Sequence, residues 1–181
     1  MVYLDDFRMR LLGLVVVLVF FLAACSGTVE AGTAGAAGVA EDPCEEDSFT
    51  VSLTVRVDTL VDNINVLGRE MHELVPHDGV IFHSEDVIAN VGDSVFDVLQ
   101  REMRSVGIHM SARHTPIVNT AYVEAIGNIF EFDAGPMSGW IYRVNEYFPG
   151  FGSSMYMVEP GDVVKWLYSL DLGRDVGKEW D

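Results

Sequence analysis

From Phe49 onward the chain alternates. Phe49, Val51, Leu53, Val55 and Val57 are separated by Thr50, Ser52, Thr54 and Arg56, so an extended segment here has one apolar and one polar face. That period of two marks a strand buried on one side. The pattern returns near the C-terminus. In SGWIYRVN, Trp140, Tyr142 and Val144 share a face opposite Ile141, Arg143 and Asn145; in DVVKWLYSL, Val164, Trp166, Tyr168 and Leu170 lie opposite Val163, Lys165, Leu167 and Ser169. In both segments the ring-bearing face carries no charge and the other face carries one, which places Trp140 and Trp166 in the core.

Only SVFDVLQREMRSV has a clear helical period. Val95, Val98, Leu99, Met103 and Val106 form a stripe, Ser94 with Asp97 makes a variant of the capping box, and Gly107 suits the residue that closes a helix. Short strands are predicted at VIFH and DVIANV, a helical turn in GREMHELV, and β structure in IHMSARH, AYVEAI, NIFEF and SMYMV. One helix among several strands, without regular alternation of the two, predicts an α+β fold: β-grasp-like, with one main helix packed on a mostly antiparallel or mixed sheet.

Upstream of the strands, an apolar run from Leu11 to Leu22 follows Arg8 and Arg10 and leads into Leu22-Ala23-Ala24-Cys25. The run has the length of a signal peptide rather than of a membrane span. The quartet resembles the lipobox of bacterial lipoproteins, which implies cleavage before Cys25, acylation of its thiol and anchoring to the extracytoplasmic face of the cell membrane. Residues 26–47 are rich in Gly and Ala and then acidic, with no apolar period, and read as a flexible tether. The expected organisation is a signal peptide over 1–24, a lipidated acidic tether over 25–47 and a folded domain over 48–181.

Charge and chemistry narrow the functional classes. With 11 Lys and Arg against 28 Asp and Glu, the net charge of -17 excludes a nucleic-acid backbone as partner. If Cys25 is acylated, Cys44 has no partner in the chain, and the carboxylates of EDPCEED disfavour its thiolate. His72, His77, His83, His109 and His114 show no metal-ligand spacing, and GFGSS matches neither GxSxG nor GxGxxG. Glu131 and Asp133 share a face in strand register, at a separation an acid and base could use, but so acidic a chain places such pairs by chance. No metal, no required cofactor and no enzymatic activity are expected. The loop EYFPGFGSSMY stands apart: Tyr147, Phe148 and Phe151 surround a Pro149-Gly150 turn and cannot all face inward. It is the best candidate for a binding surface; the alternative is that it folds back and covers its own rings.

Three stretches carry a resemblance: SVFDVLQREM, YVEAIGNIFEFDAGPMSGWIYRVN and MVEPGDVVKWLYSLDLG, between Ser94 and Gly173. Together they resemble the transcobalamin-like C-terminal domain family, and Phe49 to Val91 is more weakly similar to the N-terminal portion of bacterial members. The resemblance implies a small β-grasp-related domain of the kind that closes over cobalamin opposite a large helical barrel, a part for which this sequence has no helical pattern. By position it implies ligand contacts at Trp140, Tyr142, Asn145, Phe148, Phe151 and Tyr156. The expected function is a lipid-anchored binding module that caps cobalamin or a related planar ligand for delivery to a transporter or helical-barrel partner. The alternative is a surface protein that binds another protein or a cell-wall glycan through the same loop.

Overall fold

The structure is a computed structural model that describes residues 47–115 and 120–180. The expectations placed on the signal peptide, Cys25, Cys44 and nearly all of the tether lie outside these residues. Among the described residues seven strands and two α-helices run in the order β1 (Ser48–Arg56), α1 (Asp58–Asp62), β2 (Val80–Asn90), α2 (Val95–Ser105), β3 (Met110–Thr115), β4 (Thr120–Ile126), β5 (Ile129–Phe130), β6 (Gly139–Val144) and β7 (Val163–Ser169).

The strands form two sheets. One has four strands in the order β2-β1-β7-β6, the other three in the order β3-β4-β5. In the larger sheet β1 and β7 are parallel, while β2 and β6 run antiparallel to their neighbours, so the sheet is mixed. The cross-strand register sets Trp140 opposite Tyr168, Tyr142 opposite Trp166 and Val144 opposite Val164, which brings the uncharged faces of both C-terminal strands to the same side. They join Val51, Leu53 and Val55 of β1 in one buried cluster. Each such side chain contributes about 1.5–3 kcal/mol on full burial.

Helix α2 adds Val95, Val98, Leu99 and Met103 to the same cluster. Its start is fixed reciprocally: the Asp97 N–H donates to Ser94 Oγ at 3.2 Å, and the Ser94 N–H donates to Asp97 Oδ2 at 2.9 Å. Arg101, off the apolar stripe, pairs with Asp93 at 2.8 Å. The protein is therefore α+β, with a single main helix and a mixed sheet.

Local differences from the sequence expectation have visible causes. VIFH and DVIANV are one continuous strand, β2, because irregularities in its pairing with β1 absorb the break in the apolar pattern. GREMHELV forms a 3-10 helix over Arg69–Leu74. NIFEF is a strand only at Ile129–Phe130, since Phe132 takes a left-handed φ of 69° and turns the chain. SMYMV is not a strand: Met157 makes one isolated bridge with Ser94, and Met155 and Met157 remain exposed. Strands β3 to β5 do not extend the main sheet but make their own antiparallel sheet beside it.

Candidate functional site

Strand β6 is an edge of the larger sheet, and the ring-bearing side of this edge meets β4 of the smaller one. Between them lies a cleft of about 520 Å³. Trp140 and Tyr142 from β6 and Thr120 to Val123 from β4 line it, together with Phe132 and Met137 before β6, the loop from Pro149 to Ser153, and the tail that holds Leu172, Lys178 and Trp180.

The loop is held against β4 at very short range. A Cβ added to Gly152 would stand 1.6 Å from Thr120 Oγ1, so only glycine lets the loop backbone approach the threonine side chain this closely. Beside it, Ser154 Oγ accepts the Ala121 N–H at 2.9 Å and lies 3.1 Å from Thr120 Oγ1. These contacts fix Phe151, whose ring stacks on Tyr156 with centroids 6.1 Å apart and planes at 16°. Tyr156 meets Tyr142 edge-on at 6.5 Å, and Tyr142 packs on Trp166 at 5.5 Å, so a chain of rings runs from the surface to the core. The Tyr142 hydroxyl donates to the Phe151 carbonyl at 2.9 Å. Burial, reinforced by Tyr156 and Tyr147, raises the Tyr142 phenol well above its ordinary pKa and keeps it a neutral donor.

The opposite wall is pinned at the end of β7. Gly173 adopts φ 98°, and a Cβ there would meet Ile141 Cδ1 at 2.8 Å and Lys178 Cβ at 2.9 Å. Its N–H donates to Ser169 Oγ at 2.6 Å, while the Asp175 carboxylate accepts from the Ser169 hydroxyl and, at 2.7 Å, from the Leu170 N–H. The tail so held brings the Trp180 ring to the rim, where its Nε1–H donates to the Leu172 carbonyl at 3.1 Å. Behind β4, the Tyr122 hydroxyl donates to Glu131, and Arg113 lies 4.9 Å over the Tyr122 ring while pairing with Glu124 at 3.2 Å. Burial and then the bond to Glu131 push the Tyr122 phenol up to about 12.

Of the six residues singled out from the sequence, three line the cleft. Trp140 is 8% exposed and donates its Nε1–H to the Ile129 carbonyl at 2.9 Å; Tyr142 is 6% exposed; Phe151 is 47% exposed. The first two serve core and cleft floor at once. Tyr156 lies half-buried behind Phe151. Asn145 braces a turn at the far end of β6: with φ 50°, it donates to Asp162 Oδ1 at 2.6 Å and accepts the Val163 N–H at 2.9 Å. Phe148 is half-buried on the other side of the sheet, 5.8 Å beneath the Arg143 guanidinium. The loop thus divides its rings, with Phe151 on the cleft, Phe148 under Arg143 and Tyr147 in solvent.

Sequence reasoning missed Tyr122, Phe132, Met137, Leu172, Lys178 and Trp180. Most come from turns and the tail, where no periodicity points to a shared surface; the available signal was a run of large apolar residues in segments that cannot be strands. The carboxylates weighed as an acid–base pair are engaged separately. Glu131 binds Tyr122 and lies 3.6 Å from Arg113, and Asp133 closes a turn by accepting the Phe130 N–H at 2.6 Å. Among the described residues no three His, Cys, Asp or Glu side chains come together as a metal site would require.

Residues 92–169 match DUF4430, a domain of unknown function. The DUF4430 match runs from just before α2 to the end of β7 and so includes the cleft floor and the aromatic loop. No curated protein matches the sequence. Among solved structures, haptocorrin in complex with Cbi is similar at 12% identity and a TM-score of 0.52, over 70% of this chain and 26% of that one. This chain therefore spans about a quarter of the haptocorrin chain, and at that identity the likeness is one of fold. A Ruminococcus gnavus ATCC 29149 protein provisionally described as metal-binding is similar at 8% identity and a TM-score of 0.40, over 67% of this chain and 96% of that one.

Proposed function

We propose that the protein is a ligand-binding module, lipid-anchored at Cys25 on the extracytoplasmic face of the cell membrane, whose cleft caps a flat and largely apolar ligand such as cobalamin. The observation that carries this reading is the open cleft of about 520 Å³ with Phe132, Phe151 and Trp180 exposed on its rim. Large rings held in water by tied-down loops are costly, and covering them with a ligand recovers that cost.

The fold likeness to haptocorrin supports a place for such a ligand, and the β2-β1-β7-β6 order with its parallel centre supports a β-grasp-like description. A cleft of this size covers only part of a corrin ring. A second surface, from a transporter or a helical-barrel partner, then completes the enclosure and receives the ligand. Binding rests on stacking and backbone hydrogen bonds; no covalent step and no catalysis are proposed. Exposed Tyr147 lies outside the cleft, and it is what favours the second reading, a surface protein that binds another protein or a wall glycan through this loop.

Cyanocobalamin titrated into the purified protein is expected to give a saturable change in its visible spectrum, with affinity falling about tenfold in Phe151→Ala. An absence of heat and of spectral change up to millimolar ligand rejects cobalamin; retained binding to cells or wall glycan then supports the second reading. The anchor is tested by Cys25→Ser, which should release the protein from membranes or leave an uncut precursor.

A further inference from the structure

The cleft is at odds with the rest of the chain in its charge. Of 181 residues 28 are acidic, yet among the described residues no Asp or Glu lines the cleft, and the one charged side chain on its lining is Lys178. A lining of this size drawn at random from so acidic a sequence would hold several carboxylates. Among the described residues no carboxylate lies within 4 Å of the Lys178 ammonium; Arg69 and Arg104 also lack one, but neither lines the cleft, while Arg56, Arg101, Arg113, Arg143, Lys165 and Arg174 are each paired. The ammonium stands instead 4.0 Å above the Trp180 ring. Burial lowers its pKa, as it does for a cation partly stripped of water with no anion beside it.

A second donor on the same lining is also without a partner. Trp166 is 2% exposed, and its Nε1 has no hydrogen-bond acceptor among the described residues, whereas the indoles of Trp140 and Trp180 are both satisfied. Buried donors in native proteins are generally paired, so this indole N–H, closed off from solvent within a residue of the cleft wall, is an exception.

Resting on the reading of this cleft as the seat of a flat ligand, we infer that the ligand carries an anionic oxygen group, a carboxylate or a phosphate ester, which Lys178 holds at the Trp180 end of the cleft. The net charge of -17 does not oppose this, because salt screens distant charges beyond roughly 8 Å at physiological ionic strength while the nearest charge decides. The same bias turns away cationic ligands, which the exterior of so acidic a protein would otherwise gather.

Three probes with one naphthalene body separate the alternatives: 1-naphthylacetate, 1-naphthyl phosphate and the neutral 1-naphthylacetamide. They are titrated into the purified full-length protein while the indole N–H signals of its three tryptophans are followed by NMR. Either or both anions are expected to bind about tenfold tighter than the amide, as one charge-assisted contact allows, and to move the Trp166 and Trp180 signals; the stronger of the two names the group. Lys178→Gln should bring the anions down to the level of the amide, while Lys178→Arg, which keeps the charge, retains the preference. Equal binding of all three probes, or a preference that survives Lys178→Gln, overturns the inference and leaves the cleft reading standing. If no probe moves any indole signal, the inference fails, and the cyanocobalamin titration alone decides the reading of the cleft.

Discussion

Replacing Gly152 by alanine tests how the aromatic loop is placed. The new Cβ would lie 1.6 Å from Thr120 Oγ1 and 2.7 Å from Thr120 Cβ. Rotating the threonine side chain moves its hydroxyl but not its Cβ, so the loop and β4 must separate by roughly 1 Å to restore ordinary contact. The contacts of Ser154 Oγ with the Ala121 N–H at 2.9 Å and with Thr120 Oγ1 at 3.1 Å break first. At about 0.5–1.5 kcal/mol each, their loss costs about 1–3 kcal/mol. That corresponds to a fall in Tm of roughly 4–12 °C for a domain of this size. The displaced loop also carries Phe151 away from Tyr142, so ligand affinity should weaken with stability. Thermal unfolding followed by circular dichroism measures the effect, and Gly150→Ala is the control, because a Cβ there meets nothing within 4 Å. Equal Tm values for the two variants would refute the close approach on which the shape of the cleft depends.

Two further outcomes follow from contacts elsewhere. Ser94→Ala removes the side-chain acceptor at the start of α2 and should cost about 1 kcal/mol in urea unfolding with an unchanged m-value; a neutral result would show that the Asp97 carboxylate alone secures the helix. The Tyr122 phenol is held up at about 12 against roughly 10 in an unfolded chain, so its contribution to stability is complete below pH of about 10 and is lost as the pH rises towards about 12. Glu131→Gln should lower that phenol's pKa and weaken this alkaline loss, as read by phenolate absorbance; an identical titration in both proteins would contradict the Tyr122–Glu131 bond.

Period-two alternation carried the central strands well. In β1, β6 and β7 each apolar face is the buried one, and Trp140, Tyr142 and Trp166 sit where their register placed them. The helix was equally readable, since its stripe and both halves of its cap are local in sequence. The separation into two sheets was not, because alternation says which side of a strand is buried and nothing about which strand lies beside it. The cleft was legible only in part for the same reason. Phe151 drew attention as a ring on a turn, but Phe132, Met137 and Trp180 reach the same rim from segments far apart in sequence. Asn145 looked like a ligand contact from its place in the motif strand, while its bonds to Asp162 and Val163 tie down the start of β7.

The parallel pairing of β1 with β7 has a consequence for how the chain reaches this structure. Ser52 lies beside Val163 and Arg56 beside Leu167, so the middle of the main sheet joins the first strand of the domain to its last. Contacts of such high sequence separation raise the contact order and slow folding. During synthesis β1 can pair only with β2, and its other edge, together with the whole of β6, stays open until β7 has left the ribosome. Until then the chain presents unpaired apolar strands to its neighbours, the condition in which aggregation competes with folding. Truncation before Val163, which removes β7, should accordingly give an insoluble product rather than a smaller domain.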